Sequence, residues 1–95
     1  MTAQQIYNEI LAYVGTSRFA DWYVGITNNV EDRLFGAHSV NRQFGAWYHT
    51  LALDANHSRS VEQALLNIGF DGGNGGGDNT TTYVYAFRKD PGTVR

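Results

Sequence analysis

The sequence has no cysteine, one proline and one lysine, Lys89. The lack of cysteine excludes a disulfide framework, a thiolate zinc site and a cysteine nucleophile. The N-terminal segment, residues 1–15, carries neither a basic leader nor an unbroken apolar run long enough to cross a bilayer. We therefore expect a soluble, cytoplasmic protein without a membrane partner.

Positive charge is also scarce in this chain. Seven Lys and Arg residues stand against nine Asp and Glu residues, which gives a formal net charge of −2 and a pI near 5.8. Binding to duplex DNA without sequence preference depends on many phosphate contacts. A nucleic-acid ligand would therefore be held by a local cluster of arginines or by stacking on aromatic side chains, and not by an overall basic surface.

Aromatic residues are the compositional surplus. They make up 14% of the 95 residues, within a hydrophobic content of 42%. This content suffices for one packed core and is too high for a disordered chain. We predict a single domain over residues 1–95, in which several aromatic side chains are candidates for stacking bases, namely Trp22, Phe44, Trp47 and Tyr48.

Apolar periodicity and turn residues predict that helices and strands alternate along the chain. Capping boxes are expected at Thr2 with Gln5 and at Ser60 with Gln63. The glycine-rich segment lacks the Lys-Ser/Thr pair of a phosphate-binding loop, which favours a connector. The predicted elements are helix 3–14, strand 21–27, a helix capped by Asn28 or Asn29, strand 46–53, helix 58–69, the glycine-rich loop 71–79 and strand 80–89.

The stretch WYVGITNNVEDRLFGAH, residues 22–38, resembles the GIY-YIG nuclease superfamily. Tyr23, Val24 and Gly25 stand in the place of the second tripeptide of that family, and Arg33 follows ten residues after the tyrosine, as the family arginine does. His38 resembles a histidine often found one turn later. Glu62, on the predicted helix 58–69, resembles the glutamate that binds the metal ion.

The first tripeptide of the family has no counterpart just before Tyr23, where a helix and a short loop are predicted instead. The C-terminal segment TYVYAFRKD offers Tyr83, Val84 and Tyr85 in its place. We therefore expect a circularly permuted domain whose first strand has moved to the end of the chain. The resemblance then implies an α+β fold with a small, three-stranded, mainly antiparallel sheet packed with about three helices, and strand 82–89 beside strand 22–27.

The resemblance also implies a chemistry, the hydrolysis of DNA phosphodiester bonds with Mg²⁺ or Mn²⁺. Glu62 would bind the metal ion and Arg33 the scissile phosphate. Tyr23 would take the proton of the attacking water, assisted by Tyr85, with His38 or His49 as substitutes. The expected nucleic-acid contacts are Arg42, Trp47 and Arg88, and duplex, branched and single-stranded DNA all remain open as substrates.

Each of these residues also has an ordinary structural interpretation. Tyr23 and Tyr85 suit the interior of a β-strand, and Glu62 suits the start of a helix. Arg33 could pair with a neighbouring polar side chain, and His38 could bind the last carbonyls of its helix. Two other functions therefore stay open: a catalytically inactive relative that binds nucleic acid or a protein partner, and an unrelated α+β interaction domain.

Overall fold

The computed structural model describes residues 1–72 and 81–94 of the chain. Most of the glycine-rich loop predicted at 71–79 therefore lies outside the described residues. The elements are α1 (Ala3–Val14), a 3₁₀ turn (Phe19–Asp21), β1 (Trp22–Thr27), a π-helix (Glu31–Ala37), β2 (Trp47–Leu51), α2 (Ala55–Asn67) and β3 (Tyr83–Arg88). The predicted α+β class is confirmed.

The three strands form one antiparallel sheet in the order β1-β3-β2. The last strand of the chain is therefore the central one, and it pairs with β1 from Trp22↔Arg88 to Thr27↔Tyr83. This pairing confirms that the C-terminal strand lies beside β1. Strands β2 and β3 are both shorter than predicted, since β2 spans Trp47–Leu51 and β3 spans Tyr83–Arg88.

One face of the sheet is covered by the two α-helices. Helix α1 begins with the predicted capping box, in which the Thr2 hydroxyl accepts from the Gln5 amide and the Gln5 side chain accepts from the Thr2 amide. Its buried stripe packs with that of α2 against alternate residues of the strands. The buried core on this face comprises Ile6, Ile10, Val14, Trp22, Val24, Ile26, Ala52, Val61, Leu65, Phe70, Val84 and Ala86.

The start of α2 was predicted wrongly. The helix begins at Ala55 and not at residue 58, and the Asp54 carboxylate caps it by accepting from the His57 amide at 2.9 Å. Ser60 lies within the helix, so the predicted capping box of Ser60 and Gln63 does not mark the start of α2. Asp54 prevails because a carboxylate satisfies an orphan amide and also favours the positive end of the helix.

The opposite face of the sheet is covered by the short π-helix and the segment that follows it. The expected cap is present, since the Asn29 side chain accepts from the Asp32 amide at 3.2 Å. The helix then widens, and the His38 amide bonds to the Arg33 carbonyl five residues back. Leu34 is fully buried here against the central strand. Segments of π-helix are rare and are frequent at functional sites.

Gly25 in β1 lies beneath the ring of Tyr85. A Cβ at this position would overlap the phenol oxygen and Cζ of Tyr85. The missing side chain therefore lets the Tyr85 ring extend from the central strand across β1.

We predict that Gly25→Ala lowers the free energy of unfolding by about 1–3 kcal/mol, because the added methyl group overpacks the site. Urea denaturation measures this change. Gly36→Ala is the matched control, since a Cβ there meets open space. This substitution should not lower the free energy of unfolding. Equal stabilities of wild type and Gly25→Ala would contradict the placement of the Tyr85 ring.

Candidate active site

The strand register gathers aromatic side chains in rows on the face that carries the π-helix. Tyr23 of β1, Phe87 of β3 and Trp47 of β2 are aligned in one row. The next row consists of Gly25, Tyr85 and His49. Successive rows on one face follow from the two-residue period of a strand.

The ring of His38 packs against this aromatic cluster. Its ring centroid lies 4.7 Å from that of Tyr23 and 5.0 Å from that of Phe87. Tyr23 and Phe87 in turn stack at 5.1 Å, and Tyr23 and Tyr85 at 6.5 Å. His38 and Tyr85 are 5% and 2% exposed, whereas Tyr23 is only partly buried. Tyr23 is therefore the phenol of this cluster that faces solvent.

The hydrogen bonds of His38 define its tautomer. Nδ1 lies 2.6 Å from the Val94 carbonyl oxygen, and Nε2 lies 2.9 Å from the Tyr85 hydroxyl. A carbonyl oxygen only accepts, so Nδ1 carries the proton and donates it. Nε2 of the neutral ring is then the acceptor, and Tyr85 donates to it. The Tyr85 oxygen retains its lone pairs for another donor.

Burial and neighbouring charges shift the pKa values of His38 and Tyr85. Burial lowers the pKa of His38, the hydrogen bond to Val94 opposes this shift, and the charge of Arg33 adds to it. Burial also raises the pKa of Tyr85 far above its ordinary value, assisted by Tyr23 and Glu62 and opposed by Arg33. At neutral pH Tyr85 is therefore a protonated phenol beside a neutral imidazole.

Arg33 and Glu62 belong to different elements, the π-helix and α2, which cover opposite faces of the sheet. The charges of both act on the pKa of Tyr85. Neither side chain makes a hydrogen bond or an ion pair with any residue that the structure describes. Glu31 and Asn29, the neighbours of Arg33 along the chain, have other partners. Glu31 binds Arg42, and Asn29 binds Asp32.

Glu62 is the residue that the sequence predicts as the metal ligand. It is partly buried, and desolvation raises the pKa of its carboxyl group, opposed by Arg59. A nearby cation would reverse this shift and favour the carboxylate. Among residues 1–72 and 81–94 there is no group of three or more His, Asp or Glu side chains that could form a metal cage. A single carboxylate is a donor that Mg²⁺ accepts, because Mg²⁺ keeps several waters in its shell.

The predicted nucleic-acid contacts do not converge on one surface. Trp47 lies on the same face as Tyr23, beside Arg42. Arg42 donates to both carboxylate oxygens of Glu31, so it is not an unpaired cation. Arg88 is exposed, but strand alternation places it on the helix-covered face, away from Tyr85 and Phe87.

Two of the aromatic residues considered for stacking are placed otherwise. Trp22 is 3% exposed in the core under the α-helices. Tyr48 packs on the same side, and its hydroxyl donates to Glu9 at 2.6 Å. Their strand positions have the opposite parity to Tyr23 and Trp47, so they point to the opposite face.

The sequence also left two participants unnoticed. Phe87 shares the parity of Tyr85, so strand alternation could have identified it. Val94 contributes only a backbone carbonyl, for which no side-chain pattern exists. Its position depends on the turn after Pro91, which returns the chain to His38.

Comparison with family models, with curated proteins and with solved structures finds no match for this chain. Within the described part of the chain, no helix has the length and apolar character needed to span a bilayer. The geometry of the cluster is therefore the main basis for a functional assignment.

We predict that His38 makes stability depend on pH. The folded protein holds the pKa of His38 below its ordinary value of 6.5, so the unfolded chain binds more protons as the pH falls past that value. The contribution of His38 is complete above about pH 6.5 and is lost as the pH falls through the lower, folded pKa.

Urea denaturation between pH 7.5 and 5 measures this effect. The free energy of unfolding should fall with pH in the wild type, and less steeply in His38→Gln, which retains His49 and His57. At pH 7.5 the substitution should itself cost about 1–3 kcal/mol, because buried hydrogen bonds are disrupted. Identical pH slopes in the two proteins would exclude this role of His38.

Proposed function

We propose that this protein is a small, Mg²⁺-dependent endonuclease of the GIY-YIG type, in permuted form, that hydrolyses DNA phosphodiester bonds. The observation that carries the proposal is the contact of Tyr23, Tyr85 and His38 in one cluster. The charges of Arg33 and Glu62 also act there on the pKa of Tyr85. A guanidinium and a carboxylate that lack protein partners suit a phosphate and a metal ion, respectively.

Arg33 binds the scissile phosphate in this scheme. Its side chain is exposed on the π-helix, and its charge acts on the pKa of both His38 and Tyr85. Guanidinium groups contact phosphate through charge-assisted, bidentate hydrogen bonds. Arg33 thereby orients the phosphorus for attack and stabilises the negative charge that develops on its oxygens.

Glu62 would hold the metal ion at the side of Tyr85. When bound, Mg²⁺ would neutralise charge on the phosphate and on the leaving oxygen. One carboxylate would suffice to hold the ion, because Mg²⁺ keeps several waters. This arrangement needs the carboxylate form, so the ion must offset the burial of Glu62.

The proton of the attacking water has a short path into the protein. Tyr23, the more exposed phenol, orients the water. The Tyr85 oxygen accepts the proton while its own proton passes to Nε2 of His38, across a hydrogen bond of 2.9 Å. The product is an imidazolium whose Nδ1 proton remains bonded to Val94. Tyr85 thus transfers a proton without becoming a phenolate, which its raised pKa disfavours.

A catalytically inactive module that binds nucleic acid or a protein is the alternative function. The net charge of −2 favours it. So do the ion pairs Arg42–Glu31 and Lys89–Asp71, which withdraw two cations from phosphate contacts. Salt dependence of binding would distinguish nucleic acid from a protein surface, since only the former releases many counterions.

We predict that wild-type protein cleaves single-stranded or branched DNA in the presence of Mg²⁺ or Mn²⁺, and that EDTA abolishes the cleavage. Glu62→Gln and Arg33→Ala should each reduce the single-turnover rate about 10²- to 10³-fold, because each removes charge stabilisation from the transition state. Gel separation of end-labelled strands measures the rate.

The matched controls are Gln63→Ala, next to Glu62 on the exposed side of α2, and Arg18→Ala, an exposed arginine outside the cluster. Both should cleave at the wild-type rate. Cleavage by Glu62→Gln at the wild-type rate would remove Glu62 from the mechanism. No cleavage by wild type of duplex, branched or single-stranded DNA would favour the binding module.

A further inference from the structure

A second cleft lies beside the cluster, between the start of the π-helix and β2. It has a volume of about 310 Å³, and its lining includes Glu31, Phe35, Arg42, Trp47, His49 and Tyr83. This volume is at the low end of the roughly 300–1,000 Å³ range of small-molecule sites. All of its lining residues belong to the described part of the chain. Of these, His49 was expected as a substitute base, and the proposed hydrolytic step uses none of them.

The walls of this cleft are aromatic rings in mutual contact. Trp47 meets Phe35 edge-on at 5.1 Å and lies parallel to His49, with a centroid distance of 5.7 Å. The Arg42 guanidinium lies 3.9 Å above the Phe35 ring. Trp47 is also fixed in place, since its Nε1 donates to the Arg42 carbonyl at 3.0 Å. The cleft therefore presents rigid, flat surfaces.

The charges in the cleft are balanced. Glu31 and Arg42 form a two-point ion pair, which lowers the pKa of Glu31 and keeps it ionised. The positive charge of Arg42 is thus neutralised and does not attract a phosphate. The ion pair is exposed, so the carboxylate still has lone pairs that accept from an N–H group. These features suit a flat, uncharged ligand that carries N–H donors.

We propose that this cleft binds an unstacked nucleobase of a single-stranded DNA segment, next to the phosphate that is cut. The inference rests on the proposed function and specifies its substrate class. A base stacks on Trp47 and His49, and its amino or imino N–H donates to Glu31. Aromatic platforms bind bases of any sequence through stacking, and acidic side chains accept from base amino groups.

The register places the cleft at the right distance from the hydrolytic cluster. His49 is the direct partner of Tyr85 on the neighbouring strand, and Trp47 is two strands from Tyr23 in the same row. Neighbouring strands are about 4.8 Å apart, so Trp47 and Tyr23 are about 10 Å apart across the sheet. That span is comparable with the distance between a base and a backbone phosphate of an adjacent nucleotide, so one strand reaches both sites.

A duplex does not satisfy this geometry, because its bases are stacked and paired. A base must leave the stack to enter the cleft, at a cost of a few kcal/mol that is smallest for single strands and mismatches. The net charge of −2 leaves little phosphate attraction to offset this cost. Stacking in the cleft therefore selects unpaired DNA.

Tryptophan fluorescence tests the proposal without any cleavage. The chain has two tryptophans, Trp22 in the core and Trp47 in the cleft. In the background of Trp22→Phe, the signal comes from Trp47 alone. Titration in EDTA with a short single-stranded oligodeoxynucleotide should quench it, and an oligomer of equal length with abasic sites throughout should quench it little.

Dissociation constants then identify the cleft. His49→Ala, an exposed position, should weaken binding of the base-containing strand roughly 5- to 100-fold, the range expected from the loss of one stacked base. The same substitution should leave the affinity for the abasic strand unchanged. Leu53→Ala is the control, because Leu53 is an apolar residue just after β2 that is 65% exposed and lies outside the cleft, and it should bind both strands as wild type does.

The outcomes separate this inference from the nuclease proposal. Equal affinity for base-containing and abasic strands, or no binding of either, would overturn the base site even if Mg²⁺-dependent cleavage is found. Base-dependent binding without cleavage would support the cleft and count against catalysis. An equal loss of affinity in Leu53→Ala and His49→Ala would also refute the base site, because the effect would not belong to the cleft.

Discussion

The candidate site depends on the hydrogen bond from Tyr85 to His38, and this bond depends on the central position of β3. Because β3 pairs with both β1 and β2, Tyr85 lies in the middle of the sheet, where Gly25 gives its ring room on one side. The Val94 carbonyl fixes the tautomer of His38 from the other side. The site therefore needs both β1, which carries Gly25, and the C-terminal segment that carries Val94.

The same arrangement explains how a chain with little positive charge could act on DNA. Most contacts that hold the cluster together are aromatic and uncharged, and two cations are neutralised in ion pairs. The charge of Arg33, which has no hydrogen-bond or ion-pair partner among the described residues, acts on the pKa of Tyr85. In the proposed function this guanidinium would bind the scissile phosphate, and the proposed stacking cleft would contribute further affinity. The two proposals therefore support each other but rest on separate contacts.

Much of the fold was predictable because strand and helix periodicities are local. The alternation of Tyr83, Tyr85 and Phe87 identified the last strand, and the spacing of Ile6, Ile10 and Val14 identified α1. The central place of β3 was not predictable, because pairing partners are non-local. A helix was predicted after Asn29, but its π geometry was not, since the hydrogen bonds of a π-helix leave no residue pattern. Tyr23, Tyr85 and His38 were predicted as members of one site and do meet. Arg88 lies on the helix-covered face, which parity along its strand could have indicated.

The most direct test of the hydrolytic site is the fate of the oxygen atom of water. Single-stranded DNA is incubated with the protein and Mg²⁺ in ¹⁸O-labelled water, and the products are analysed by mass spectrometry. The account predicts strands that end in a phosphate with one ¹⁸O atom, in amounts that follow the protein concentration. Intact strands after prolonged incubation, or new ends without the label, would contradict it.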